Sequence, residues 1–171
     1  MPNKSSKSQK NFGKLDVSEF LDREIGTKAE YPIHFEARQI DDEKIELVCP
    51  ISGEITLVRS AEGISGEFNV KTLGKLVCER CLDVFFKKIE IKFSQNYKYG
   101  AKEKEEILPI FLDRTIEIFE PIRQEILSSL PYQIVCRQDC QGLCDQCGQN
   151  LNKKKCRCKS ENLKASIENR F

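Results

Sequence analysis

The stretch ISGEFNVKTLGKLVCERCLDVFFKKIEIKFSQNYKY, residues 64–99, decides the fold. From Phe85 to Tyr99, apolar and polar side chains alternate with a period of two, as they do in half-buried antiparallel strands. The earlier part, Ile64–Val77, predicts another strand, with Gly74 as a bulge. Cys78-Glu-Arg-Cys81 lies between the two strands. The stretch therefore predicts a β-hairpin whose turn carries two cysteines.

Shorter segments on both sides of this hairpin repeat the alternation. Apolar residues take every second position in 33–37 and 55–57, and residues 116–118 add a further short strand. The single histidine, His34, falls on the polar side of its strand, and spacing fixes no acid or nucleophile beside it. We therefore interpret His34 as a solvated strand residue.

Two segments show helical spacing instead. Residues 16–24 predict a short helix whose apolar residues share one face, and residues 120–130 predict a second helix with Pro121 at its first position. Together these patterns predict an α+β fold with an antiparallel sheet over residues 31–118, a packing helix and a cysteine-rich zinc-binding C-terminal segment. The pattern leaves open whether the sheet closes into a barrel.

Length and composition narrow the class of protein. The chain has 171 residues, of which 39% are hydrophobic and 32% charged, with nine cysteines. A chain of this size buries about two-thirds of its unfolded surface and needs no covalent staples. No apolar run approaches the roughly 20 residues that cross a bilayer, and none is typical of a secretion signal. We therefore expect a cytoplasmic protein with no membrane partner, whose cysteines need another explanation.

Positive charge is concentrated at the two ends of the chain. Residues 1–14 carry four lysines and no acid, and residues 151–171 carry seven basic residues against two acidic ones. Basic ends on an acidic body predict a local contact with a polyanion, although two solvated tails would give the same pattern. We predict a disordered basic arm over residues 1–14, an α+β core over 15–131, and a zinc-binding segment over 132–171 that packs on the core.

Eight of the nine cysteines form four close pairs, and eight thiolates fill two tetrahedral four-sulfur zinc sites. The pairs are Cys78 with Cys81, Cys136 with Cys140, Cys144 with Cys147, and Cys156 with Cys158. Glycine directly after Cys147 permits a turn with positive φ, which lets backbone N–H groups point at sulfur. We predict one zinc ion held by the last two pairs and a second held by the first two. An exchange of Cys136 and Cys140 with another pair stays open.

Other roles for the cysteines fit less well. Disulfides are typical of secreted proteins, and a redox dithiol needs a helix after the strand of a βαβ unit, whereas Cys81 leads into another strand. An iron–sulfur cluster is chemically open, but the glycine-containing turns favour zinc. The ninth cysteine, Cys49, is predicted to be a small buried residue in a strand.

The sequence carries no motif of catalysis. It lacks a P-loop, a G-x-G-x-x-G loop and a G-x-S-x-G elbow. Sites made of four cysteines are closed and structural, whereas catalytic zinc sites keep an open position. We therefore predict a protein that is not an enzyme and takes no small-molecule substrate.

Three blocks of this sequence, in this order, resemble a known family. They are Val77-Cys-Glu-Arg-Cys-Leu82, then residues 136–152 with the string Gly-Leu-Cys-x-x-Cys-Gly-x-Asn-Leu-Asn, and finally Cys156-Arg-Cys158. Over roughly residues 15–171 the chain resembles the YceD family of large ribosomal RNA subunit accumulation proteins. The resemblance implies a role in synthesis, processing or stability of large-subunit ribosomal RNA, in the cytoplasm of a bacterium or in a plastid.

Two functional hypotheses follow. In the first, a non-catalytic factor contacts ribosomal RNA or a pre-ribosomal particle through the basic tail, with Tyr132 or Phe171 stacking on a base. The basic residues are Lys153, Lys154, Lys155, Arg157 and Lys159. In the second, the acidic sheet surface docks a ribosomal protein or a nuclease, and the chain is a zinc-stabilised adaptor. Each four-thiolate zinc site carries a net charge of −2, so the body of the protein would repel RNA. This repulsion keeps the adaptor hypothesis open.

Overall fold

Nine strands and two helices form the regular structure in this computed structural model, which describes residues 12–37, 41–42, 45–101 and 107–158. The elements are β1 Lys14–Asp16, α1 Ser18–Leu21, β2 Lys28–Phe35, β3 Asp41–Asp42, β4 Ile45–Leu47, β5 Ile51–Arg59, β6 Gly63–Val77, β7 Val84–Tyr99, β8 Ile107–Ile110, β9 Thr115–Glu117 and α2 Phe119–Ser128. The chain divides into two units. The sheet unit comprises Met1–Leu76 and Phe86–Tyr132, and the cysteine unit comprises Val77–Phe85 and Gln133–Phe171.

The nine strands form one sheet, which is curled into a half-barrel. Its order is β1-β9-β8-β7-β6-β4-β3, while β5 pairs with β6 and β2 pairs with β5. The pairs β1–β9, β2–β5, β3–β4, β4–β6, β5–β6 and β8–β9 are antiparallel, as the sequence predicts. Residues 107–110 of β8, in contrast, run parallel to residues 96–99 of β7.

Strands β4 and β5 both pair with β6, and the break between them falls at Cys49-Pro50. Pairing with β6 shifts by two residues across this point, because Pro50 has no N–H to donate to the ladder. The hydroxyl of Thr72 donates to the carbonyl oxygen of Cys49 at 2.9 Å instead. Cys49 is exposed here, so the prediction of a buried strand residue was wrong.

The predicted bulge at Gly74 is likewise absent from that position. Gly74 pairs regularly with Leu47 of β4, and the irregularity lies between β4 and β5, at Cys49-Pro50. A Cβ atom at Gly74 would lie 2.6 Å from Cδ1 of Ile45. The glycine is therefore explained by close packing of a side chain from β4 and not by a break in the pairing.

Buried residues follow the alternation seen in the sequence. Ile89, Ile91 and Tyr97 of β7 are buried, whereas Tyr99 at the strand end is exposed. The Tyr97 hydroxyl donates to the carbonyl oxygen of Glu117 at 2.9 Å, which provides a partner for a polar atom in the core.

Both predicted helices are present. In α1, Phe20 and Leu21 are buried, and in α2 Pro121 lies at the third position, in the first turn. The Glu117 carboxylate caps α2 by accepting the backbone N–H of Phe119 at 2.9 Å and of Glu120 at 3.3 Å. No helix in the described part of the chain is long and apolar enough to span a membrane.

Candidate metal centre

Four cysteines of the cysteine unit form what we call the first cluster: Cys78, Cys81, Cys136 and Cys140. Their sulfur atoms all lie within 4.8 Å of one another. The Sγ atoms of Cys78 and Cys140 are 3.8 Å apart, and those of Cys81 and Cys136 are 3.7 Å apart. Four sulfurs bound tetrahedrally at about 2.3 Å from one zinc ion would be ~3.8 Å apart, whereas a disulfide joins sulfurs at about 2.05 Å. The first cluster therefore fits a four-thiolate metal site and not a pair of disulfides.

The hairpin turn positions the first two ligands of this cluster. The backbone N–H of Leu82 donates to the carbonyl oxygen of Cys78 at 2.9 Å. Leu82 follows Cys81 with a φ of 58°, the same left-handed conformation that Gly148 adopts after Cys147 with a φ of 69°. A leucine in this conformation costs roughly 1–2 kcal/mol, so the sequence indicated the turn at Gly148 but not at Leu82.

The first cluster is buried. The relative exposure is 0% for Cys78, 3% for Cys81 and 5% for Cys140. The partly buried apolar side chains packed against these cysteines are Phe85, Val135 and Leu143. Because the cysteines themselves form the centre of this small apolar group, they determine how the surrounding segments pack.

The thiols of the first cluster differ strongly in acidity. Burial alone would raise the pKa of Cys78, but hydrogen bonds from the backbone N–H groups of Cys136, Cys81 and Arg80 outweigh burial and lower it to about 6. Burial and the neighbouring sulfurs raise the pKa of Cys136 to about 12. One thiolate therefore forms readily, and its charge opposes ionisation of the others. A divalent cation is what would stabilise four thiolates in so small a volume.

Asn152 supports the first cluster through its side-chain amide. Its Nδ2 donates to Sγ of Cys140 at 3.4 Å. Its Oδ1 accepts the backbone N–H of Gln141 at 2.9 Å and the guanidinium of Arg137 at 2.9 Å. The amide therefore orients the sulfur and fixes the backbone just after it, as groups hydrogen-bonded to metal ligands commonly do.

Asn150 ties the same segment to the hairpin turn. Its Nδ2 donates to Oδ2 of Asp83 at 2.9 Å, and its Oδ1 accepts the backbone N–H of Asn152 at 3.0 Å. Lys153 donates to the other oxygen of Asp83 at 2.7 Å. In the sequence the two asparagines stand out only as part of the family-like string, and these contacts give their physical role.

We predict that Asn152→Ala weakens metal binding at the first cluster by about 10–100-fold, because the Cys140 sulfur loses its side-chain donor. The measurement is competition for zinc against a chromophoric chelator. Gln138→Ala, at an exposed position between the ligands Cys136 and Cys140, is the matched control and should leave the affinity unchanged. Equal affinities for the two variants would contradict the role given to Asn152.

The remaining ligands form the second cluster: Cys144, Cys147, Cys156 and Cys158. Their sulfur atoms also lie within 4.8 Å of one another. Backbone N–H groups of Cys147 and Gln146 lower the pKa of the Cys144 thiol to about 7. Cys144 is buried, whereas Cys147 and Cys158 are exposed. The structure thus groups all eight cysteines as the sequence predicted, with the second group nearer the solvent.

A small hairpin presents the first two ligands of the second cluster. Leu143 and Asn150 form an antiparallel bridge. The N–H of Gly148 donates to the carbonyl oxygen of Cys144 at 2.9 Å, and the N–H of Cys144 donates to Gln149 at 2.9 Å. The φ of Gly148 is 69°, which confirms the positive φ predicted for the glycine after Cys147.

The predicted RNA-contacting residues are in different situations. Lys153 pairs with Asp83, and its hydrogen bond lowers the pKa of that carboxyl group, so the Lys153 ammonium is already engaged. Lys159 lies outside the described residues. The other three predicted residues, Lys154, Lys155 and Arg157, are exposed and show no ion pair within the described part of the chain.

Other sequence candidates lie away from the clusters. His34 is exposed on β2, in agreement with its interpretation as a solvated strand residue, and its Nε2 lies 3.7 Å from Oε1 of Glu36. Tyr132 is fully exposed. Phe171, the other aromatic residue considered for stacking, lies outside the described residues.

The fold and the clusters define a strand-rich protein with two four-cysteine sites that could hold metal ions. A family model described as "Large ribosomal RNA subunit accumulation protein YceD" matches residues 66–170. The chain belongs to the YceD family. That description names an accumulation protein of large-subunit ribosomal RNA.

Among curated proteins, the similar ones are mycobacterial and are named only as uncharacterized. One from Mycobacterium bovis and one from Mycobacterium tuberculosis are each 31% identical over 94 residues, which is 52% of this chain and 44% of theirs. One from Mycobacterium leprae is 28% identical over 114 residues, 63% of this chain and 52% of its own. The chain thus spans about half the length of the curated relatives it matches. No solved structure matches it.

Proposed function

We propose that the protein is a non-catalytic factor for accumulation of large-subunit ribosomal RNA, with a structural zinc ion in each cysteine cluster and a basic tail that contacts RNA. Family membership supports the role in RNA accumulation. The observation that carries the rest is the position of Lys154, Lys155 and Arg157, which are exposed between the ligands Cys147 and Cys158 of the second cluster. A bound metal would hold these cations in one place.

The donor set supports zinc and a structural role for it. Four thiolates in a tetrahedron fill the coordination sphere of Zn²⁺ and leave no open position for a substrate or water. When bound, zinc would supply folding free energy and neutralise part of the thiolate charge. The residues that would hold the two ions are those of the first and second clusters.

Charge favours a local contact over a broad RNA-binding face. Each zinc with four thiolates carries a net charge of −2. Lys153 is neutralised by Asp83, so phosphate groups would meet mainly Lys154, Lys155 and Arg157. Contacts of this kind position RNA without reading its sequence.

A protein adaptor is the second candidate function, and a separate observation favours it. Val77, Leu82 and Val84 around the hairpin turn are 52%, 63% and 51% exposed. Leu82 keeps a left-handed backbone conformation that a glycine would adopt without strain. Exposed apolar side chains of this kind suit a protein partner such as a ribosomal protein or a nuclease.

Depletion of the gene tests the proposal. We expect the ratio of large- to small-subunit ribosomal RNA to fall, and to be restored by the wild-type chain but not by a variant with Lys154, Lys155 and Arg157 all changed to glutamate. The same charge change at Lys71, Lys88 and Lys92, which are exposed on the sheet, is the matched control and should restore the ratio.

The other outcomes are also decisive. An unchanged ratio after depletion would reject the ribosomal role for this chain. Rescue by the tail variant would place the function on another surface. In that case Leu82→Ser, which changes the exposed hairpin turn, would test the adaptor.

A further inference from the structure

The two clusters differ in their access to solvent. In the first cluster Cys78, Cys81 and Cys140 are buried. In the second, Cys147 and Cys158 are exposed. A cavity of about 230 Å³ adjoins the second cluster, and its lining includes Cys144, Cys156 and Cys158. A small solute could therefore reach sulfur in the second cluster without local unfolding, but not in most of the first.

We propose that the second cluster is an oxidation site, where a hydroperoxide converts Cys147 and Cys158 to a disulfide and the metal leaves, while the first cluster keeps its metal. The Cys158 and Cys147 sulfurs lie within 4.8 Å of one another, so the bond can form with a local displacement. The inference rests on the zinc occupancy proposed above. It adds a modification site that selects one cluster by exposure.

The oxidation step balances with hydrogen peroxide as the oxidant. One thiolate attacks a peroxide oxygen, an S–O bond forms, the O–O bond breaks and hydroxide leaves. The second thiolate attacks the resulting sulfenic sulfur, the S–S bond forms and the second hydroxide leaves. Two sulfurs lose two electrons in all, and the peroxide gains them. Cys144 and Cys156 remain as the only thiolates, too few to retain zinc.

Oxidation would also change how the segment with the basic residues is anchored. The backbone N–H groups of Lys153 and Lys154 donate to the carbonyl oxygen of Asn150 at 3.1 Å. Beyond Lys154 the chain is held through the ligands Cys156 and Cys158. After oxidation the disulfide still ties Cys158 to Cys147, so these basic residues stay in a closed loop that loses only the anchor at Cys156.

The test uses the full chain purified under reducing conditions, with zinc measured before oxidation. Hydrogen peroxide is added, zinc release is followed with a chromophoric chelator, and disulfides are mapped by mass spectrometry. We expect one equivalent to leave at least about tenfold faster than the other, because buried sulfurs react only after local opening. Cys147–Cys158 should be the first disulfide, and a thiol reductant with added zinc should reverse the change.

Two variants assign the released ion. Cys158→Ser should remove the fast phase, and Cys49→Ser, which removes the exposed cysteine outside both clusters, should leave it intact. Release of both ions at one rate, or a first disulfide within the first cluster, would overturn the inference. A reduced protein that contains no metal would instead reject the zinc proposal on which the inference rests, so the two failures are distinguishable.

Discussion

Replacing Cys78 with serine should lower the bound zinc from two equivalents to one and disorder the cysteine unit around the hairpin turn. Cys78 is fully buried at the centre of the first cluster, and its sulfur lies 3.8 Å from that of Cys140. Structural zinc sites supply about 10–16 kcal/mol of apparent binding free energy, which is folding free energy for the segments they join.

Two measurements test this effect: the zinc content per chain and the protection of backbone amides from hydrogen exchange. Zinc per chain is determined by elemental analysis, and hydrogen exchange should rise in residues 77–85 and 133–143. Cys49→Ser is the matched control, because Cys49 is exposed outside both clusters and should leave two equivalents bound. Two equivalents in Cys78→Ser would contradict the ligand assignment. Loss of both would show that the second cluster needs the first.

The four close cysteine pairs were predictable because each lies within a short segment, whereas which pairs share a site was a hypothesis that the two clusters now support. Pairs separated by one to three residues supply two sulfurs from one direction, and eight ligands fill two sites. The alternation of apolar and polar residues alone identified two long strands. Cys78 and Cys81 lie between these strands and were therefore predicted at the hairpin turn. The α+β fold followed from the same local periodicities, since a period of two marks a half-buried strand wherever it pairs.

The missed features all depend on contacts between distant segments. The parallel direction of β8 is set by where the chain re-enters the sheet, and no period reveals that. Gly74 is small because Ile45 packs against it, and Cys49 is exposed because Pro50 breaks the ladder beside it. The sequence predicted Lys153 as a free cation for RNA, but its ammonium donates a hydrogen bond to Asp83, 70 residues earlier.

Changing Lys154, Lys155 and Arg157 to glutamate should lower the affinity for single-stranded RNA by about 20-fold or more at low salt. Each phosphate contact contributes about −0.7 to the salt slope for a single strand, so three contribute about −2. Between about 50 and 200 mM salt, such contacts lose about 20-fold in affinity. The variant lacks them from the start and adds repulsion.

Titration of a mixed-sequence RNA oligonucleotide at several salt concentrations measures both quantities. The tail variant should show weak binding and a salt slope smaller in magnitude by about 2 than that of the wild type. The variant with glutamate at Lys71, Lys88 and Lys92 carries the same net charge and should keep the wild-type affinity and slope, because the contact is local. If the two variants lose affinity equally, RNA responds to net charge alone. If neither does, the tail makes no phosphate contact, and the exposed apolar side chains of the hairpin turn become the surface to test for a protein partner.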